Sequence, residues 1–260
     1  MPTIPYSRAA LTDDTRRKLG DSFYAEFLSL GYQVNEVQLY MQFVLACLPH
    51  EYPENTPFRE KARINGNASV RLLCARLYEV SNLVGKMGSS VNWRKGFPLV
   101  AESFKKNMND SQEGITTRRK TAEFDLVRLV RDKGFAHISP QEVHKRLNKT
   151  HANAQRFLYF SDTYANAFFP ACEDLVFGNL LHDHFRGANG GNVDQDGYSK
   201  WLSWVCDFCS MVCKFFHYLC IWVWKDLQGF DLEDVELYLD ENFIGDGGVM
   251  KLPIFTRTPQ

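Results

Sequence analysis

Between Asp21 and Leu48 the apolar residues Phe23, Phe27, Leu30, Val34, Val37, Tyr40, Met41, Val44 and Leu48 recur at three- and four-residue steps. That spacing lines one face of a helix, whereas a strand buries every second residue. It predicts a helix from Asp21 to Leu48, with Gly31 as a candidate kink. The pattern returns at Leu72, Leu73, Leu77, Val80, Leu83 and Val84, predicting a second helix over 68–87 that Gly88-Ser89-Ser90 ends. His50 to Asn67, punctuated by Pro53 and Pro57, reads as loop. A mixed segment up to Gly114 holds a short helix near Leu99 to Met108.

Phe124, Leu126, Val127 and Val130 predict a third strong helix from about Thr117 to about Gly134. Ser139-Pro140-Gln141-Glu142 then reads as a helix start, with serine as the cap, proline in the first turn and Glu142 closing a capping box. A further helix is expected from Ala152 to Leu181, kinked or broken at Pro170. Gly187 to Gly197 reads as a linker, followed by a long aromatic helix from Tyr198 to Leu227 and a short one near Leu232 to Glu241. No run alternates convincingly as a strand. The expected fold is all-α: a helical-bundle domain over 21–185 and a C-terminal helical extension over 198–260, able to pack on the same core.

A chain of 260 residues, 45% of them hydrophobic, can bury a substantial core. Its formal net charge of -1 means that any nucleic-acid site must be a local basic patch. The stretch Met1 to Gly20 has no apolar run of the kind that directs export, and seven scattered cysteines suit a reducing compartment. A cytoplasmic location is expected.

The segment Arg131-Asp132-Lys133-Gly134-Phe135-Ala136-His137 concentrates the residue types of phosphate chemistry. Arginine grips phosphate with a planar fork, and histidine exchanges protons near neutrality. On an unbroken helix, residues six apart lie about 120° apart in rotation and about 9 Å apart along the axis, too far to meet on one ligand. Gly134 and the capping box that follows predict a break between Arg131 and His137, with His137 at the mouth of the next helix, where anions are favoured. Asp132 can orient either side chain by a hydrogen bond. The plainer reading of the same residues is a chance spacing, with His137 capping a helix.

This string resembles the signature of the HEPN superfamily, an arginine and a histidine four to six residues apart, with Asp132 matching the polar residue that nuclease members carry after the arginine. It is most similar to the abortive-infection subgroup, whose second helix Ala75-Arg76-Leu77-Tyr78-Glu79 also resembles. The resemblance spans about Asp21 to Leu181. It implies a metal-independent endoribonuclease without cofactor, a toxin or phage-defence effector in which a 2′-hydroxyl attacks the adjacent phosphate. His137 would serve as general base or acid, and Arg131 would stabilise charge on the phosphate. One motif per chain implies a homodimer, and an antitoxin or defence-system protein is a candidate partner. A related HEPN group with a nucleotidyltransferase antitoxin has a tyrosine where this chain has Ser139. The alternative within the family is a non-catalytic module that binds RNA or nucleotide, or serves as a scaffold.

Other signals are weaker. Arg118, Arg119, Lys120, Arg128, Lys133 and Lys145 can form an RNA-backbone track or a solvated face. Cys206, Cys209, Cys213 and Cys220 step along one helix, a spacing that describes a buried stripe better than a zinc site. His182-Asp183-His184 reads as a helix end rather than a ligand set, and no metal is expected. Trp201 to Trp224 is apolar enough to raise the question of a membrane span. However, Lys200, Ser203, Asp207, Ser210, Lys214 and His217 form a polar stripe along it, and mid-span charges cost about 2.5–3.5 kcal/mol each in a bilayer. A core or dimer-interface helix is expected there, with no membrane.

Overall fold

The computed structural model describes residues 3–8, 11–47, 57–91, 93, 102–136, 144, 173, 177–185, 194–223 and 233–238. Its elements in chain order are strand β1 (Thr3–Arg8), helices α1 (Asp13–Leu19), α2 (Asp21–Ala46), α3 (Pro57–Ser89), α4 (Glu102–Arg118) and α5 (Ala122–Leu129), a π-helical turn (Val130–Ala136), α6 (Asn179–His184), α7 (Gln195–Trp222) and strand β2 (Glu233–Tyr238). The body is an all-α bundle.

α2 forms where the spacing places it and buries Phe23, Phe27, Leu30, Val34, Val37 and Val44. Gly31 does not break it. A Cβ there would come within 2.8 Å of Cζ of Phe216, so the glycine admits an aromatic ring from α7. α3 buries Val70, Leu73, Cys74, Leu77, Val80, Val84 and Met87 along one stripe, and packs on α2. It begins eleven residues earlier than the loop reading of His50 to Asn67 allows. Pro57 stands at the helix start, where its missing N–H costs nothing. The residues after it, from Arg59 to Arg63, are good helix formers, with Arg63 bonded to Glu60 at 2.8 Å.

α4 corrects the expectation of a short helix followed by mixed structure, because it continues through Gly114 to Arg118. A glycine inside a helix costs about 1 kcal/mol. Here a Cβ would meet Sδ of Met211 at 2.7 Å, so a side chain at Gly114 would require Met211 of α7 to move aside. The chain then turns at Arg119–Thr121 and restarts as α5, so the third helix expected from Thr117 begins at Ala122. Its inward residues are those the spacing gives: Phe124, Leu126, Val127 and Val130 are all buried.

α7 starts at Gln195, inside the segment expected to be linker. Asp194 caps it, its carboxylate accepting from the Gly197 N–H at 3.1 Å. Trp201, Val205, Phe208, Cys209, Val212, Phe215, Leu219 and Trp222 are buried against α4, α2 and α3. The six polar residues from Lys200 to His217 form an exposed stripe, as their spacing requires. By length and composition α7 could cross a membrane; in this structure one face of it packs on the bundle core, with 33% of its apolar window buried. Aromatic contacts knit it in. Phe215 lies 6.0 Å from Trp93, which stacks on Phe23, and Phe23 meets Trp222 edge-on at 5.9 Å.

The helix expected near Leu232 to Glu241 is instead strand β2, paired antiparallel with β1 from Thr3↔Tyr238 to Arg8↔Glu233. Within it Asp234-Val235-Glu236-Leu237 alternates acidic with apolar residues, the period of a strand rather than of a helix. The register sets Ile4 opposite Leu237 and Tyr6 opposite Val235.

Candidate functional site

The chain does not return to coil after α5. From Val130 to Ala136 its helix widens into a π turn. Such turns close i→i+5 hydrogen bonds and occur mostly as short bulges, frequently at functional sites. Arg131 therefore lies within the widened turn rather than in the last turn of an α-helix, and Gly134 lies inside helical structure instead of ending it. His137, the capping box at Ser139-Pro140-Gln141-Glu142, the expected helix start at Ala152, Pro170, and Lys145 fall outside the described residues.

Arg131 is held from three directions. Its Nη1 donates to Oδ1 of Asp132 at 2.9 Å, and its Nη2 donates to Oε1 of Glu79 at 2.8 Å. The guanidinium carbon sits 4.6 Å from the centre of the Tyr78 ring, which in turn stacks on Phe124 at 5.7 Å. Burial works against the charge, but the hydrogen bonds and charges of Asp132 and Glu79 outweigh it and raise the Arg131 pKa. Arg131 stays about a third exposed, with 35% of its side chain reachable by solvent. Tyr78 and Glu79 were visible in the sequence only as part of a helix resembling the abortive-infection subgroup. What places them here is the packing of α3 on the π turn.

The basic residues divide. Arg118 donates to the Trp204 carbonyl at 3.2 Å and lies over the Trp204 ring, which ties it to α7. Arg119 donates to the Asn82 side chain of α3. Both serve the packing of helices. Lys120, Arg128 and Lys133 are exposed, with Arg128 paired to Asp125 at 3.0 Å.

An open groove of about 250 Å³ runs along the outer face of α5 and the π turn, lined by Asp125, Leu126, Arg128, Leu129, Asp132, Lys133 and His184. Asp132 joins the two features, since it lines the groove while its carboxylate accepts from Arg131. α5 is pinned beneath by α7, whose Trp201 Nε1 donates to the Glu123 carbonyl at 3.2 Å.

The thiols lie elsewhere. Cys74 on α3 and Cys209 on α7 are fully buried, and burial raises both, with Cys206 and Cys213 close enough to Cys209 to add to its shift. Among the described residues, no group of three or more His, Cys, Asp or Glu side chains is arranged to hold a metal ion. No family model, curated protein or solved structure matches the chain.

Proposed function

We propose that the protein is a metal-independent endoribonuclease of the HEPN type, acting as a homodimeric toxin or defence effector. The observation that carries this reading is the Arg131–Asp132 pair on the π turn, hydrogen-bonded, partly exposed and anchored by Glu79 and Tyr78 of α3. A guanidinium fixed by neighbours presents its remaining N–H groups to a phosphate with little loss of rotamer freedom. The 2′-hydroxyl of one nucleotide attacks the adjacent phosphate, His137 moves one of the two protons in transit, and Arg131 stabilises the charge that develops on phosphate oxygens. The products are a 2′,3′-cyclic phosphate and a 5′-hydroxyl.

A second reading has its own support. The two carboxylates that flank Arg131 already offset its charge, which suits a retired site in a module that binds RNA or a partner without cutting. One experiment separates the readings: purified protein is incubated with RNA in EDTA, and the ends of any product are identified. Cyclic phosphate ends, made by wild type and lost in His137→Ala, are expected. Intact RNA bound without cleavage supports the second reading, and cleavage that requires added magnesium overturns the metal-free mechanism.

A further inference from the structure

The solvent face of α2 is unlike those of the other helices. α4 exposes Lys106, Asp110 and Glu113, α5 exposes Glu123, Asp125 and Arg128, and α7 exposes Lys200, Asp207 and Lys214. From Ser22 to Leu45, no exposed residue of α2 carries a charge. The two acids of that stretch are drawn away from this face: Glu26 has a buried carboxylate oxygen, and Glu36 pairs with Arg76 of α3 at 2.9 Å. Of the seven large hydrophobic residues exposed among those described, Leu28, Tyr32, Leu39 and Leu45 lie on α2. The outer face of a helix that meets only water is normally charged and polar, whereas depletion of charge marks the centre of a protein interface.

Ala25, Leu28, Tyr32, Asn35, Leu39, Gln42 and Ala46 follow one another at alternating three- and four-residue steps, the spacing of a coiled-coil seam. Turned end for end, this seam matches itself: Tyr32 falls opposite Leu39, Leu28 opposite Gln42, Ala25 opposite Ala46, and Asn35 opposite Asn35. We propose that two copies of the chain pair through this face of α2, antiparallel, about a two-fold axis beside Asn35.

The chemistry of the face selects that occupant. A nucleic acid would need cations, and a helix lying on a membrane surface carries lysine and arginine beside its apolar residues; neither is present here. A second copy meets no like charge, and the contact is the same patch on both subunits. Two Tyr32–Leu39 contacts flank the axis. At the axis each Asn35 amide is both donor and acceptor, so two of them can bond to each other, and a polar residue in such a seam fixes register. Opposed helix dipoles favour the antiparallel sense. From Ala25 to Ala46 the seam runs about 32 Å, and a strip about 10 Å wide offers on the order of 300 Å² of footprint. That is the scale of a functional patch and less than the about 800 Å² per partner of a tight complex, so the pair is weak and reversible. The contact stands on α2 alone. It gives the homodimer of the ribonuclease reading a surface, while that reading is tested separately by its cyclic phosphate ends.

The test follows the mass of the full-length protein by sedimentation velocity from about 1 to about 200 µM, a readout independent of RNA cleavage. Wild type should pass from monomer to dimer, half-associated on the order of 10 µM. Leu39→Glu sets two carboxylates against the facing tyrosines and should weaken the dimer at least about tenfold. In Tyr32→Lys/Leu39→Glu, the ammonium at 32 of one copy faces the carboxylate at 39 of the other, and association should return to within about three-fold of wild type. Within one chain those positions lie about 10 Å apart along the axis, too far to pair with each other. Asn35→Lys brings two like charges together on the axis and should leave a monomer, which reads the same contact by a second route. All three positions are exposed, so circular dichroism should show the fold retained. A wild type that stays monomeric overturns the proposal. A dimer indifferent to Leu39→Glu and Asn35→Lys does so too, as does a loss in Leu39→Glu that the double variant fails to reverse.

Discussion

The thiols of α3 and α7 and the charges around Arg131 are both clusters of chemistry-bearing side chains, yet they sit in opposite environments. Cys74 and Cys209 lie among Leu77, Val205, Val212 and their neighbours with no exposed surface. Burial pushes all six described thiols up, Cys220 to about 12. A thiol held protonated is a poor nucleophile and a poor metal ligand. Arg131 instead donates to both Asp132 and Glu79 at a surface that water can reach. Reactive residue types become a candidate site only where solvent, charge and geometry permit proton and phosphate traffic. The thiol row is a piece of core.

The largest effect that sharpens this contrast belongs to the dry side. Phe215→Ala removes a fully buried ring that touches Trp93. It should cost about 3–5 kcal/mol and lower Tm on the order of 10 °C, read by calorimetry. A change of under 1 kcal/mol would mean that α7 does not sit in the core.

Next comes pH. The folded thiols have raised pKa values, so they stay protonated while the unfolded chain ionises. Their contribution is complete below an unfolded thiol pKa of about 8.5 and is lost as pH rises toward the folded values. Each thiol should remove about 1.4 kcal/mol of stability per pH unit above that point. Urea unfolding between pH 7 and pH 10 should show the decline, and Cys209→Ala should flatten it. An undiminished slope in that variant would place the effect elsewhere.

The smallest expected change in stability lies at the polar corner. Glu79→Gln weakens a partly exposed ion pair and should alter stability by less than about 1 kcal/mol. If Glu79 positions Arg131, RNA cleavage should nevertheless fall several-fold through kcat, with KM little changed. Equal loss in kcat/KM and stability would make Glu79 merely structural.

How much of this was legible in the sequence depended on distance along the chain. The buried residues of α2 and the polar stripe of α7 follow from helical spacing, which is local. The start of α3 does not, since proline is both a loop residue and a good opening residue for a helix, and only packing decides between them. β2 is six residues long and owes its form to β1, more than two hundred residues away, so a local reading yields a helix there instead. At the site, the Arg131–Asp132 contact joins neighbours and could be anticipated. Glu79 and Tyr78 approach from another helix, His184 from a third, and the π turn is a departure from helical period that no apolar pattern announces.

The β1–β2 ribbon also has a mechanical consequence. Thr3 pairs with Tyr238 at one end, and Arg8 with Glu233 at the other. Chain preceding Thr3 and chain following Tyr238 thus leave from the same end of the ribbon. A pull between them loads the Thr3–Tyr238 pair first, and the hydrogen bonds, which lie across the strands, open one after another like a zipper instead of sharing the load in shear. The ribbon should part at low force, before the helical core is strained.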